Sequence, residues 1–350
     1  MITLPARRVF RPDGSLRPGA VVLEGDRVAA VLDDPGPHPP DRTLAPGLVD
    51  LQVNGLGRWD VWAGDLAEIG AALAAAGTTS WCPTLTSRGL TDYPEWFAAH
   101  PAPAPGELGV HLEGPFLSPR RAGVHRVEVL QAPNLSFLAG LPERVRVVTL
   151  APELPGALEA VTLLHAHGVT VALGHSDAGY DEVVAAAGAG AGLVTHVFNA
   201  MAPLHHRAPG LAGAALADDR LVPCVIGDGV HVHPAVLALV LRAGPAVLVS
   251  DAVATTGVRV EGGAARLPDG TLAGSVITLA DAVRISASAG VPLGVALAAA
   301  TCTPAEAVGR ADLGRFEPGA RADVIAFGPS LDVQQVWVGG ELAASVRSVQ

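Results

Sequence analysis

Through the middle of the chain, short apolar runs that end in polar residues alternate with Ala- and Leu-rich amphipathic stretches. Eight of these runs have strand length: GLVDLQVNG, TTSWCPTLTS, LGVHLEGPF, RVRVVTLAPE, GVTVALGHS, GLVTHVFNAM, VPCVIGDGVHV and AVLVSDA. Between them lie helical stretches such as DLAEIGAALAAAG, ALEAVTLLHAHG, GYDEVVAAAGAG and HPAVLALVLRAG, each closing at or near a glycine as a helix C-cap does. Eight repeated βα units predict an α/β chain whose parallel strands close into a (β/α)8 barrel, with polar residues gathered at the C-terminal strand ends where such barrels place active sites. After the eighth run, GVRVEGGAARLPDGTLAGS reads as an excursion with a hairpin, and TLADAVRISASAG, PLGVALAAAT and TPAEAVGRA read as helices.

The two ends have a different texture. VVLEGDRVAAVLDD alternates apolar and polar positions around Gly25-Asp26, the pattern of a β-hairpin, and ADVIAFGPSLDVQQVWVGGELAASV closes the chain with the same short strands. Residues 1–45 and 316–350 are therefore expected to pair into one small β domain, with the barrel over 46–315. A chain of 350 residues accommodates both, since a barrel takes about 250.

Composition narrows what such a barrel can do. Half the residues are apolar and 16% are charged, which suits a large core. The net charge of −11, with no cluster of basic residues, excludes nucleic acid and anionic membrane as main partners. MITLPARRVFRPDG has no apolar signal core and no apolar run reaches about 18 residues, so a cytoplasmic chain with no membrane segment is expected. Cys82, Cys224 and Cys302 are few and far apart, the usage of buried small hydrophobes. All 23 basic residues are arginine, so no lysine is present to form a Schiff base, serve a P-loop or bridge two metals as a carbamate.

The first strand ends in DLQVNG. Many metal-dependent barrel hydrolases carry His-x-His there, on one face because strand side chains alternate; here the two positions are Gln52 and Asn54. The third strand places His111 and Glu113 on one side, and a glutamate on an apolar strand is costly to bury without a cation. The fifth and sixth strands end with His175 and His196. One carboxylate and two imidazoles at three neighbouring strand ends form the ligand set of a catalytic zinc-type site with a position left for water. Asp251, at the end of the eighth strand, is placed to take a proton from that water. The seventh strand offers Asp228, His231 and His233, with His231 the one expected to touch a ligand. The loops add His125, His205, His206 and Arg207. By contrast, His165 and His167 lie on a helix, where rings two residues apart diverge by about 200°. GAGAG at 188–192 follows a helix and precedes a strand, the wrong order for a dinucleotide fold.

APGLVDLQVNG, HLEGPF with RRAGVH, GHSDAGY, THVFNAM with HHRAPG, GDGVHVHP, LVSDA and GTLAGS stand in the order seen in the N-acetylglucosamine-6-phosphate deacetylases of the amidohydrolase superfamily, which this chain resembles over nearly its whole length. The resemblance implies a TIM-like barrel with a small β-sandwich domain made from both ends. It implies hydrolysis of N-acetyl-D-glucosamine 6-phosphate to D-glucosamine 6-phosphate and acetate by metal-activated water. Some members hold two metals on His-x-His; this chain is similar to those with Gln-x-Asn and one metal. Glu113, His175 and His196 would then hold one divalent ion per chain, with Zn ahead of Fe, Co or Mn, and Gln52 and Asn54 would line the vacated second site. Asp251 is implied as general base then acid, and His231 as a substrate contact that polarises the amide carbonyl. His125, Asn199, Ala200, Arg207 and Leu272-Ala273-Gly274 are implied as contacts of the sugar phosphate, with Arg207 serving its own barrel or a neighbour's. A homodimer or higher homo-oligomer is expected. Two positions depart from some relatives: Phe116 replaces Trp and Asp177 replaces Asn. The alternatives are a deacetylase of N-acetylgalactosamine 6-phosphate or another N-acyl compound, and a non-catalytic sugar-phosphate-binding barrel.

Overall fold

The computed structural model describes residues 1–345; residues 346–350, the end of the segment assigned above to the small domain, lie outside the described residues. All eight barrel strands form where the apolar runs predict them, at Leu48–Gly57, Thr78–Thr86, Val110–Glu113, Val145–Leu150, Thr170–Leu173, Ala191–Val194, Val222–Ile226 and Val247–Val249. They are hydrogen-bonded in that order, each parallel to the next.

The barrel closes through a broken eighth strand. Val247–Val249 pairs with the seventh strand, and after Ser250-Asp251 the segment Ala252–Ala254 pairs with the first, Ala252 opposite Val53. The break turns on Asp251, whose φ of 48° is in the left-handed region that non-glycine residues seldom occupy. The chain then makes the predicted excursion, an antiparallel hairpin of Arg259–Glu261 and Ala264–Arg266, and returns as Leu272–Ser275 beside Ala252–Ala254.

Inside the barrel, seven of the eight strands contribute to one core that includes Val49, Leu51, Cys82, Val147, Cys224 and Val249, plugged by Val308 and Leu313. The third strand supplies His111 instead. Its ring nitrogens bond Leu51 O at 3.0 Å and Thr149 Oγ1 at 2.8 Å, and burial holds its pKa below the usual histidine range, so it serves as a neutral, hydrogen-bonded filler. In the first strand the register shifts between Asp50 and Val53. Val49 and Leu51 therefore face this core, while Gln52 and Asn54 reach the mouth.

Asp50 itself is fully buried and accepts the backbone N–H groups of Gln52 at 3.2 Å and Ser250 at 3.3 Å, tying the first strand to the closure point. Burial raises its pKa to about 6, above the value of about 3.9 for an unfolded aspartate. The folded chain therefore keeps a proton that the unfolded chain has released, so stability falls as pH rises between about 4 and 6. Asp50→Asn is expected to flatten that slope, worth about 3 kcal/mol across the window, in denaturant titrations at stepped pH. An unchanged slope would mean that Asp50 is ionised in place.

The chain ends meet in one seven-stranded sheet, with Thr43–Pro46 at its centre between Ile2–Phe10 and Val324–Phe327, Leu16–Glu24 continuing it on one side and Val333–Val338 on the other. The predicted hairpin turns at Gly25-Asp26, with Glu24 opposite Arg27. One face of the sheet encloses Leu4, Val9, Leu23, Leu44 and Trp337 under Phe316, while Ile325, Phe327 and Val336 join the main core on the other. Gly77 permits that contact: at φ +94° it ends the first barrel helix, Leu66–Ala75, and a Cβ there would stand 2.1 Å from Ile325 Cδ1. Among the described residues no helix is long and apolar enough to cross a membrane.

Candidate active site

A cavity of about 460 Å³ opens at the C-terminal end of the barrel, lined by Asn54, Glu113, His196, His231, Asp251 and Ala273 among others. Six non-glycine residues of the described chain have positive φ, and five of them, His175, His196, Phe198, Ala200 and Asp251, belong to the strand ends and loops at this mouth. Backbone held in so sparsely populated a region is stored strain, which concentrates at functional sites.

Glu113, the last residue of its strand, is 3% exposed and faces two imidazoles. Its Oε1 lies 2.9 Å from His196 Nε2 and 3.3 Å from His175 Nε2, and the two nitrogens are 3.1 Å apart. A tetrahedral ion with bonds of about 2.0–2.1 Å holds its donor atoms about 3.3 Å apart, so the triangle fits a divalent cation of that kind. Burial pushes the Glu113 pKa up, but close contact with the His175 and His196 rings and the charge of His196 outweigh it and leave the carboxyl well below its ordinary range. His196 is lowered by burial and raised more by Glu113, for a net rise.

Tautomers separate ligand from donor. His175 Nδ1 donates to the Arg121 carbonyl at 2.8 Å, which leaves a lone pair on Nε2, the atom facing Glu113. Glu113, His125 and His175 also lie within reach of one ion. His125, however, accepts the Ser87 backbone N–H at Nδ1 at 3.2 Å, so its proton sits on Nε2, 3.8 Å from Glu113 Oε2. Burial depresses its pKa to about 3. His125 is thus a neutral N–H donor aimed into the site, and the donor set that fits an ion is Glu113, His175 and His196.

The carboxamides of the first strand engage the two carboxylates. Gln52 Nε2 donates to Glu113 Oε1 at 3.0 Å, and Asn54 Nδ2 to Asp251 Oδ1 at 2.7 Å. Burial, with the Glu113 charge adding to it, raises the Asp251 pKa to about 7. A carboxylate so poised exchanges a proton readily near neutral pH. Asp228 accepts from the backbone of Val230 and His231 and holds His231 Nδ1 at 2.6 Å, turning Nε2 toward the cavity that His231 lines. His233 instead caps helix Pro234–Ala243, its Nδ1 accepting from Ala235 N–H at 3.1 Å.

Asn199, Ala200 and Leu272-Ala273-Gly274 all line the cavity. Arg207 does not: with His205 and His206 it sits on an exposed loop, its Nη1 2.7 Å from His206 Nε2. No arginine lines the cavity among the described residues. Sequence reasoning missed Trp62, whose ring lines the mouth, donates from Nε1 to Thr86 Oγ1 at 3.2 Å and carries the Arg88 guanidinium 4.2 Å from its centroid. The available signal was a tryptophan just past a glycine-rich strand end, in a chain with 4% aromatics.

Residues 43–343 match the model of the amidohydrolase family. An N-acetylgalactosamine-6-phosphate deacetylase of Escherichia coli O157:H7 is 34% identical, over 97% of this chain and 99% of that protein. The N-acetylglucosamine-6-phosphate deacetylase of Bos taurus is 36% identical, over 96% of this chain and 90% of its own. Among solved structures, a substituted N-acetyl-D-glucosamine-6-phosphate deacetylase of Mycobacterium smegmatis, in complex with N-acetyl-D-glucosamine-6-phosphate, superposes with a TM-score of 0.92 at 34% identity, covering 98% of this chain and 99% of that one. With a barrel, a mouth and a histidine–carboxylate triangle of this kind, the chain belongs to the amidohydrolase family, in the branch that holds the N-acetylglucosamine-6-phosphate deacetylases.

Proposed function

We propose that this chain hydrolyses N-acetyl-D-glucosamine 6-phosphate to D-glucosamine 6-phosphate and acetate. The observation that carries this reading is the triangle of Glu113, His175 and His196 beside the cavity that Asp251 lines. In this reading the three side chains hold one divalent ion, zinc ahead of iron, cobalt or manganese on the match of donor type and spacing. Such an ion supplies Lewis acidity, bringing the pKa of water to about 7 and polarising a carbonyl.

The protein's own groups then manage the proton. Asp251 receives it from the attacking water on Oδ2, because Oδ1 is taken by Asn54. As the water oxygen adds to the acetyl carbon and the C–N bond breaks, Asp251 returns the proton to nitrogen, so the amine departs neutral together with acetic acid, which releases the water's second proton to solvent to become acetate. His231 faces the carbonyl oxygen. Donation from its Nε2 uses the doubly protonated ring, whose charge the Asp228 carboxylate balances. His125 offers its Nε2–H, and Asn199, Ala200 and the Leu272–Gly274 strand contact the sugar phosphate.

A phosphate approaching a chain of net charge −11 needs a local cation. Arg207 is on the surface and away from its own cavity, so in this reading it serves the cavity of a second copy in a homo-oligomer. The comparison that tests the proposal is acetate release from N-acetylglucosamine 6-phosphate, its galacto epimer and the unphosphorylated sugar. The phosphorylated gluco substrate is expected to lead, and Arg207→Ala to raise its KM roughly ten- to hundredfold, the worth of a charge-assisted contact, with kcat little changed. The whole-length likeness to the N-acetylgalactosamine-6-phosphate enzyme supports the epimer as the second reading, and the same rates decide between them. Equal turnover of the unphosphorylated sugar would remove phosphate from the reading altogether.

A further inference from the structure

Behind His175 lies a chain of ionic contacts that takes no part in the chemistry above. The imidazole donates its Nδ1–H to the Arg121 carbonyl at 2.8 Å. The Arg121 side chain in turn donates twice to Asp177 Oδ1, from Nε at 2.9 Å and Nη2 at 2.7 Å, and Arg120 reaches Asp177 Oδ2 at 3.3 Å. Asp177 is itself fixed from behind, since its backbone N–H and the Ser176 hydroxyl both donate to the Glu153 carboxylate at 2.7 Å. The loop that carries Arg121 is also fastened to His175 directly. Ser118 N–H donates to His175 O at 3.0 Å, and Gly123 passes so near the ring that a Cβ there would stand 3.3 Å from His175 Cε1.

We infer that Asp177 is a positioning residue for metal binding: through its ion pair with Arg121 it holds the carbonyl that orients His175 and fixes its tautomer. The free energy at stake is not that of the ion pair as such. Both side chains are a quarter to a third exposed, and pairs of that exposure contribute little to folding. The pair acts on where one backbone carbonyl points. If that carbonyl swings away, His175 loses the partner that keeps the proton on Nδ1, and the tautomer with Nε2 protonated cannot ligate. The same loop continues to His125, so its displacement would move the Nε2–H donor as well. An asparagine at 177 could still accept from Arg121 but would bring no charge, which makes that substitution a graded probe rather than a deletion.

The inference rests on the proposed ligand set, and the experiment separates the two. Zinc dissociation constants are measured for the full-length protein by competition with a chromophoric chelator, together with the melting temperature of the metal-free chain. Asp177→Ala and Arg121→Ala are each expected to weaken zinc binding roughly tenfold, the low end for outer partners of a metal-ligating histidine. The double variant is expected to lose no more than either single one, and Asp177→Asn to lose less. The metal-free melting temperature should stay at the wild-type value, and the His175 Nδ1–H proton should exchange with solvent faster in Asp177→Ala than in the wild type. Wild-type zinc affinity in both alanine variants, losses that multiply in the double variant, or a metal-free melting temperature that falls in step with affinity would each overturn the inference. His175→Ala is the control on the reading beneath it: retention of zinc there sinks the ligand set, whatever Asp177 does.

Discussion

Replacing Asp251 with asparagine is expected to lower kcat for deacetylation by about 10²–10⁴-fold, the usual contribution of a positioned acid or base, while metal content stays at one ion per chain and substrate still binds. The two side chains have the same shape, and the Asn54 donor at 2.7 Å can meet the asparagine oxygen as it meets Oδ1. What disappears is the only proton acceptor assigned to the water and, with it, the donor to the leaving nitrogen. An amide leaves poorly unless its nitrogen is protonated, so both halves of the reaction suffer from one change. Removing a buried carboxylate whose pKa burial has raised to about 7 also relieves the folded state of a charge it holds at a disadvantage. The variant should therefore melt at or above the wild-type temperature, as expected where a site keeps a destabilising group for its chemistry. An acetate-release assay that shows kcat within tenfold of wild type would reassign the proton transfer to another group.

The second large effect concerns the triangle itself. Glu113→Gln and His196→Ala should each reduce bound metal from about one ion per chain to a small fraction, read by elemental analysis of protein purified without chelator, and lower kcat/KM by about 10³ or more. That factor corresponds to about 4 kcal/mol, within the several kcal/mol of charge stabilisation a Lewis acid supplies. Glu113→Gln is the sharper of the two because it keeps the volume of a side chain 3% exposed and removes only its charge. The same loss should follow chelation of the wild type, with recovery on adding zinc. Two tightly held ions in the wild type would contradict the single-ion reading of Gln52 and Asn54. Full metal occupancy in both variants would move the site elsewhere.

Much of the architecture is legible in the order of the residues. Eight strands, the terminal hairpin at Gly25-Asp26 and the excursion after the eighth strand all follow from alternation and turn residues, signals that lie within a few positions of one another. Helices Asp92–Ala99 and Gly210–Ala217 carry no such signal, for different reasons. The first mixes aromatics with Pro94 in its opening turn, and the second, GLAGAALA, is buried along nearly its whole length and has no polar face to give it a period. The kind of side chain at each strand end was legible too. Glu113, His175, His196 and Asp251 stand out as polar residues closing apolar strands.

The order of the elements and the chemical types delivered to the barrel mouth are readable from the residues alone, because both depend on local periodicity. Which nitrogen of His175 and of His125 is free is set by long-range contacts, Arg121 O for His175 and Ser87 N–H for His125, partners 54 and 38 residues away. Long-range packing likewise makes Gln52 and Asn54 brace two carboxylates and leaves Arg207 outside the cavity of its own chain. A hydrogen bond depends on distances of about 3 Å and on angle. Spacing along the chain carries neither once the partners come from different strands and loops of a closed barrel.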